Sequence, residues 1–249
     1  MGAEPVGRSI DAVAIVVPAR DEADRIGACL RSVLDALDGA GGRRVEIIVV
    51  DDASEDETAA VAAATLAGTT TESVILRADA RQAGAARIVG LGHVVRRTAH
   101  PSRTWILCTD ADCVVPPSWI GRQLVHAEAG APAVAGVVSL LDDADGRRIG
   151  SAWQRDYGPT IAPDGTHPHV HGANLGFRLD AYLAVGGFRR IDHAEDTELW
   201  RMLRAAGLAP VADAAITVAT SARLVGRARH GFAHTLDRRY GTAEQRVAS

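Results

Sequence analysis

Three carboxylate clusters punctuate this chain in a fixed order. Asp51-Asp52 closes one hydrophobic run, Asp110-Ala111-Asp112 closes another, and Glu195-Asp196 opens an amphipathic segment. A carboxylate at the end of a buried strand loses hydration, a cost that a bound partner offsets. Asp110 and Asp112 stand two apart, so in a strict strand they share a face. Together they can offer oxygen ligands to a divalent cation such as Mg2+ or Mn2+. A carboxylate placed like Asp196 can take a proton from a hydroxyl nucleophile. The three clusters suggest one site that handles a metal, a diphosphate and a proton. Each also has a plainer reading: a solvated turn at 110–112, a helix cap made by Asp52 or Ser54, and carboxylates favoured at a helix N-terminus for Glu195-Asp196.

The elements that must bring these clusters together follow from hydrophobic periodicity. Residues 12–17 are a continuous apolar run ended by Pro18, the pattern of a buried parallel strand. Asp21 is placed to cap the next helix, where Ala23, Ile26, Leu30, Val33, Leu34 and Leu37 keep helical spacing up to the glycines at 39–42. A second strand over 45–50 delivers Asp51, an Ala-rich helix runs to about 67, and a short strand covers 73–76. A helix over 81–97 and a strand over 104–109 then deliver the Asp-Ala-Asp triplet. This alternation predicts an α/β fold with a parallel, doubly wound sheet, in which ligands bind beyond the carboxyl ends of the strands. Further on, a helix is expected to about Gly130, a strand over 133–141, a helix over 195–206 and a strand over 210–219. The segment 142–170, dense in Asp and Pro, reads as an irregular, mobile surface region. The expected organisation is one domain over 1–219 with a C-terminal extension over 220–249. That extension is Arg-rich and carries Arg223, Arg227, Arg229 and His230.

Composition narrows the class. The hydrophobic fraction of 47% is ample for a core, and with aromatics at 4% that core must be built from Ala, Val, Leu and Ile. No lysine occurs, so all 27 basic residues are arginine, and the net charge is −4. That balance argues against a nucleic-acid partner, which would demand a basic face. Cys29, Cys108 and Cys113 lack zinc-like spacing and read as reduced thiols, which implies a cytoplasmic setting. Neither a signal peptide nor an integral membrane segment is expected, while contact with a membrane surface stays open.

The motifs Val17-Pro18-Ala19-Arg20-Asp21-Glu22, Val50-Asp51-Asp52-Ala53-Ser54, Thr109-Asp110-Ala111-Asp112, Gly172-Ala173-Asn174, Gly186-Gly187-Phe188 and Glu195-Asp196 occur in one order. Any one is weak; the ordered set, covering most of residues 12–206, resembles the family 2 glycosyltransferases. The resemblance implies the A-type glycosyltransferase fold, a single domain with a mostly parallel, Rossmann-like sheet flanked by helices. Its donor half would span about 10–115 and its acceptor half about 116–219. It implies a metal-dependent, inverting transfer from a nucleoside-diphosphate sugar, a UDP-sugar favoured, to a hydroxyl on a sugar, lipid or small-molecule acceptor. Carried over by residue, Pro18, Ala19, Asp21, Glu22, Asp51, Asp52, Arg87, Asp110 and Ala111 would meet the donor. Asp112 would hold Mn2+ or Mg2+, with Asp110 and His230 completing the shell. Asp196 would be the general base and Glu195 would orient its neighbours. His171, Gly172, Ala173 and Asn174 would line the acceptor pocket. Ile88 departs from the Asn that often follows the family arginine. Neither Gln-x-x-Arg-Trp nor a membrane helix is found, which favours a soluble enzyme adding one sugar, with a homodimer allowed. A retaining transferase, a sugar-phosphate nucleotidyltransferase and a non-catalytic nucleotide-sugar-binding protein stay as alternatives; the absence of lysine disfavours the second. Two features remain open. Trp153 and Tyr157 could stack on a sugar or form a helix face, and the histidines at 167, 169 and 171 could bind a transition metal or line an acceptor loop.

Overall fold

The computed structural model describes residues 9–226 and 231–241. Its strands, in chain order, are β1 (Ala12–Ala19), β2 (Arg44–Asp52), β3 (Glu72–Ala78), β4 (Thr104–Cys108), β5 (Cys113–Val114), β6 (Ala133–Leu140), β7 (Leu175–Arg178) and β8 (Val211–Thr220). The α-helices are α1 (Ala23–Asp35), α2 (Thr58–Leu66), α3 (Ala83–Arg97), α4 (Trp119–Glu128), α5 (Ala144–Tyr157), α6 (Leu179–Ala184), α7 (Glu195–Ala205) and α8 (Phe232–Tyr240). The strands form one sheet in the order β3-β2-β1-β4-β7-β6-β8-β5.

The first half is the expected βα alternation. Strands β3, β2, β1 and β4 run parallel, so their carboxyl ends share one edge. Ala19 pairs with Asp51 and Asp52 with Ala78, which levels the loops after β1, β2 and β3. Strand β1 is covered on both faces, as its unbroken apolar run requires. On one face lie α1 and α4 with Ile15, Ile26, Leu30 and Trp119; on the other lie α3, α6 and α7 with Val16, Leu91, Phe177 and Leu203. Gly90 lets α3 press against the sheet, since a Cβ there would stand 2.7 Å from Val16 Cγ1.

Beyond β4 the sheet reverses. Strand β7 pairs antiparallel with both β4 and β6, β8 returns parallel to β6, and β5 pairs antiparallel with β8. Neither β5 nor β7 was expected as a strand. Two and four residues are too few to carry a period.

Two expectations are corrected. The segment 142–170 is not irregular throughout, because α5 occupies fourteen of its residues. The Asp and Gly residues that suggested a break form its start instead: Asp143 Oδ1 accepts the Gly146 N–H at 2.8 Å. Ile149, Trp153 and Tyr157, four apart, then bury one stripe. Asp21 does not cap α1. It lies in the left-handed region (φ 52°) and accepts the Glu55 N–H at 2.8 Å, while the cap position falls on Glu22. The described part of the expected extension, 220–249, packs on the rest of the chain: Ala222 and Leu236 are fully buried, and Phe232 of α8 meets Trp153 edge-on at 5.4 Å.

Candidate active site

The Asp-Ala-Asp triplet follows β4 as a tight turn. The Asp110 carbonyl accepts the Cys113 N–H at 3.0 Å and the Cys29 thiol at 3.3 Å. The turn gathers ligand atoms of Asp110, Asp112 and Cys113 within 4.8 Å of one another, the one such group among the described residues. Ala111 faces inward, 2% exposed. Burial pushes the Asp112 carboxyl up to about 6; Arg223 opposes this, and the charges of Asp110 and Glu22 reinforce it. Strand β5 zips onto the end of β8, and the Ser221 N–H bonds the Asp112 carbonyl at 3.2 Å. The chain after β8 therefore crosses the triplet and brings Arg223 to it. The Arg223 guanidinium grips Glu22 with bonds of 2.9 and 2.5 Å and lies 3.1 Å from Asp112 Oδ2. Sequence reading placed Arg223 only in a basic tail. Its pairing with residues some 110 and 200 positions earlier leaves no local signal. His230, Arg227 and Arg229 lie outside the described residues.

The two loops before the triplet are locked to each other. The Asp21 N–H donates to Ser54 Oγ (3.1 Å), the Glu22 N–H to Thr58 Oγ1 (2.7 Å) and the Ala23 N–H to Asp56 Oδ2 (3.0 Å). Pro18 and Ala19 are the last residues of β1, beside Val50 and Asp51. The paired aspartates differ. Asp52 accepts the backbone N–H groups of Ala80, Arg81 and Gln82 at 2.7–3.0 Å and is 2% exposed, so it closes the β3–α3 turn. The Asp51 carboxylate accepts the Ser54 N–H at 3.3 Å as its one side-chain hydrogen bond among the described residues.

Across the sheet edge stands α7. Its cap residue, Ala194, is left-handed (φ 63°), a strained conformation for a residue with a Cβ. Asp196 accepts the Gly172 N–H at 2.7 Å and the Thr197 N–H at 2.6 Å. Burial raises its pKa, Glu195 adds to the rise, and Arg87 opposes it. Arg87, 3% exposed, donates to both Glu195 and Asp110.

The predicted acceptor residues divide. His171 lies at the edge of the site, its Nε2 3.0 Å from the Tyr157 hydroxyl; burial, with His169 and His167 nearby, pulls its pKa down to about 4. Ala173 is 7% exposed. Asn174 lies inside the core. It is fully buried, donates to the carbonyls of Val137 (2.8 Å) and Ile216 (2.9 Å), and accepts the Trp119 indole N–H (3.0 Å). A side chain so engaged holds β6, β8 and α4 together. The three histidines stack face to face, with centroids 5.9 and 5.7 Å apart, and do not converge on a cation. Trp153 and Tyr157 stack on each other at 4.4 Å and are buried, as a helix face requires.

No helix among the described residues is long and apolar enough to cross a membrane. A family model described as glycosyl transferase family 2 matches residues 14–186. No curated protein matches the chain. Similar solved structures include a mannosyltransferase, PcManGT from Pyrobaculum calidifontis, in complex with GDP-Man and Mn2+. It has TM-score 0.63 and 20% identity, with 84% of this chain and 56% of that one covered. Another is S. aureus TarS 1-349 in complex with UDP-GlcNAc, with TM-score 0.60 and 13% identity over 89% of this chain and 61% of that one. At these identities the likeness is one of fold, and this chain spans somewhat over half the length of either protein.

Proposed function

Because the chain belongs to glycosyl transferase family 2, we propose that it moves a glycosyl unit from a nucleoside-diphosphate sugar to an acceptor hydroxyl, with inversion at the anomeric carbon. The observation that carries this reading is the meeting of two carboxylate sets at one sheet edge. Asp110 and Asp112 lie in the turn after β4, and Asp196 is in the first turn of α7, with Arg87 bonded between Asp110 and Glu195. Two close carboxylates are hard oxygen donors, and the raised pKa of Asp112 reflects burial beside other negative charge, so the pair suits Mn2+ or Mg2+. Either ion held there would neutralise charge on the departing diphosphate.

The chain's own residues supply the rest. Asp51, lightly bonded at the end of β2, is the carboxylate available to the nucleobase, whereas Asp52 shapes the loop beside it. Arg223 supplies a positive charge next to Asp112, where a diphosphate oxygen would lie. Asp196 accepts the proton of the acceptor hydroxyl as that oxygen attacks. Its two backbone N–H bonds fix its orientation, and its raised pKa makes it a stronger base than an ordinary carboxylate. Attack from the face opposite the nucleotide would give inversion. Similar structures hold GDP-Man or UDP-GlcNAc, so the base and sugar of the donor stay open between those chemistries.

A thermal-shift screen of UDP-, GDP- and TDP-sugars with and without Mn2+ tests the proposal, since a bound ligand stabilises the fold by mass action. One nucleotide should raise Tm, and more so with Mn2+. Product NMR should then report the opposite anomeric configuration to that of the donor. A product that keeps the donor's configuration would refute the inverting assignment.

A further inference from the structure

Arg87 stands between the two halves of the site, and its surroundings are built around it. One terminal nitrogen bonds Asp110 Oδ1 at the end of β4, the other Glu195 Oε1 at the start of α7. A Cβ at Gly172 would stand 2.6 Å from the guanidinium carbon, and one at Gly84 2.7 Å from Glu195 Cγ. Both glycines therefore make room for this ion pair. The side chain is 3% exposed, and its Nε is buried without a partner among the described residues. A guanidinium so enclosed, with both terminal nitrogens committed to protein carboxylates, is not presented to a nucleobase or phosphate. The donor-contact role implied by resemblance does not match this placement.

We propose that Arg87 is a positioning residue that ties the metal-site carboxylate Asp110 to Glu195, and thereby fixes the base Asp196, next along α7, relative to the donor. The inference rests on the roles assigned above to Asp110, Asp112 and Asp196. A planar fork can hold two carboxylates at once; an ammonium is a point charge and cannot reproduce that geometry. Without Arg87, the buried Glu195 would lose its cation and Asp110 its fixed partner, displacing both, and a misplacement of about 1 Å in a catalytic group costs ~100-fold in rate.

Two measurements on the full chain test this. First, Arg87→Met and Arg87→Lys should each lower kcat by ~100-fold, while KM for the nucleotide sugar at saturating Mn2+ changes by less than about threefold, the signature of lost positioning. A rise in KM with kcat intact would overturn the proposal and return Arg87 to the donor. Arg87→Lys keeps the charge and covers the case in which Arg87→Met fails to fold. Second, Tm is measured for Asp110→Asn, Glu195→Gln and the double variant. The losses should be non-additive with Arg87 present and additive in the Arg87→Lys background. Additive losses with Arg87 present would sink the proposal, whether or not transfer is ever observed. Failure of every nucleotide sugar to turn over would count against the proposed function alone.

Discussion

Asp196 is the residue on which the proposed chemistry turns, and its environment makes a specific demand. Burial and Glu195 raise its pKa, so the acid limb of kcat should lie above the ordinary carboxylate range, with activity lost as pH falls through it. Asp196→Asn should lower kcat by about 10²–10⁴-fold while donor affinity, measured by titration, stays nearly intact. A loss of affinity comparable to that of Asp112→Ala would contradict the base assignment. Asp112 gives a second test through stability. Its folded pKa of about 6 exceeds the ordinary 3.8, so the folded state holds this proton more tightly than the unfolded state does. Its proton-linked stabilisation is therefore fully present below the ordinary value and lost as pH rises through about 6. The Tm advantage of the metal-free wild type over Asp112→Asn should accordingly widen as pH falls through that range. A constant difference would show that the carboxyl is not perturbed. At this scale the sequence marked Asp110, Asp112, Glu195 and Asp196 by type and order, but it could not separate Asp51 from Asp52. Adjacent residues on a strand point to opposite faces, and only the β3–α3 turn decides which is consumed by backbone N–H groups.

Elements place these residues, and the short ones matter most. Strands β5 and β7 total six residues, yet β5 turns the Asp-Ala-Asp segment onto β8 and β7 joins β6 and β8 to the parallel half of the sheet. Asn174 locks that junction. Asn174→Ala would strand two carbonyls and an indole N–H in the core, costing about 2–4 kcal/mol in urea unfolding, with KM for the acceptor unchanged in the protein that remains folded. A raised acceptor KM at unchanged stability would restore the residue to the acceptor pocket. Long elements were legible, because β1, α1 and α3 repeat their period over many residues. Helix α5 was obscured because its N-terminal Asp and Gly residues resemble a break until the cap bond is seen.

Across the whole molecule, the sheet gathers at one edge residues separated by up to 200 positions, and the chain after β8 closes over them. EDTA should abolish transfer, and Mn2+ should restore it. Full activity in chelator would overturn the metal assignment and leave Arg223 as the cation beside the diphosphate. By itself the sequence determined the α/β alternation, the family resemblance and the residue types of the site. These depend on local periodicity and on motif order, both written along the chain. Tertiary structure alone decided that the carboxylate clusters share cations: Arg87 joins Asp110 to Glu195, and Arg223 joins Glu22 to Asp112. Such pairings depend on how the sheet reverses after β4, a long-range event with no local signature. At that edge Arg87, buried, and Arg223, partly exposed, offset part of the desolvation of Asp110, Glu195, Glu22 and Asp112, while backbone N–H groups serve Asp51 and Asp52.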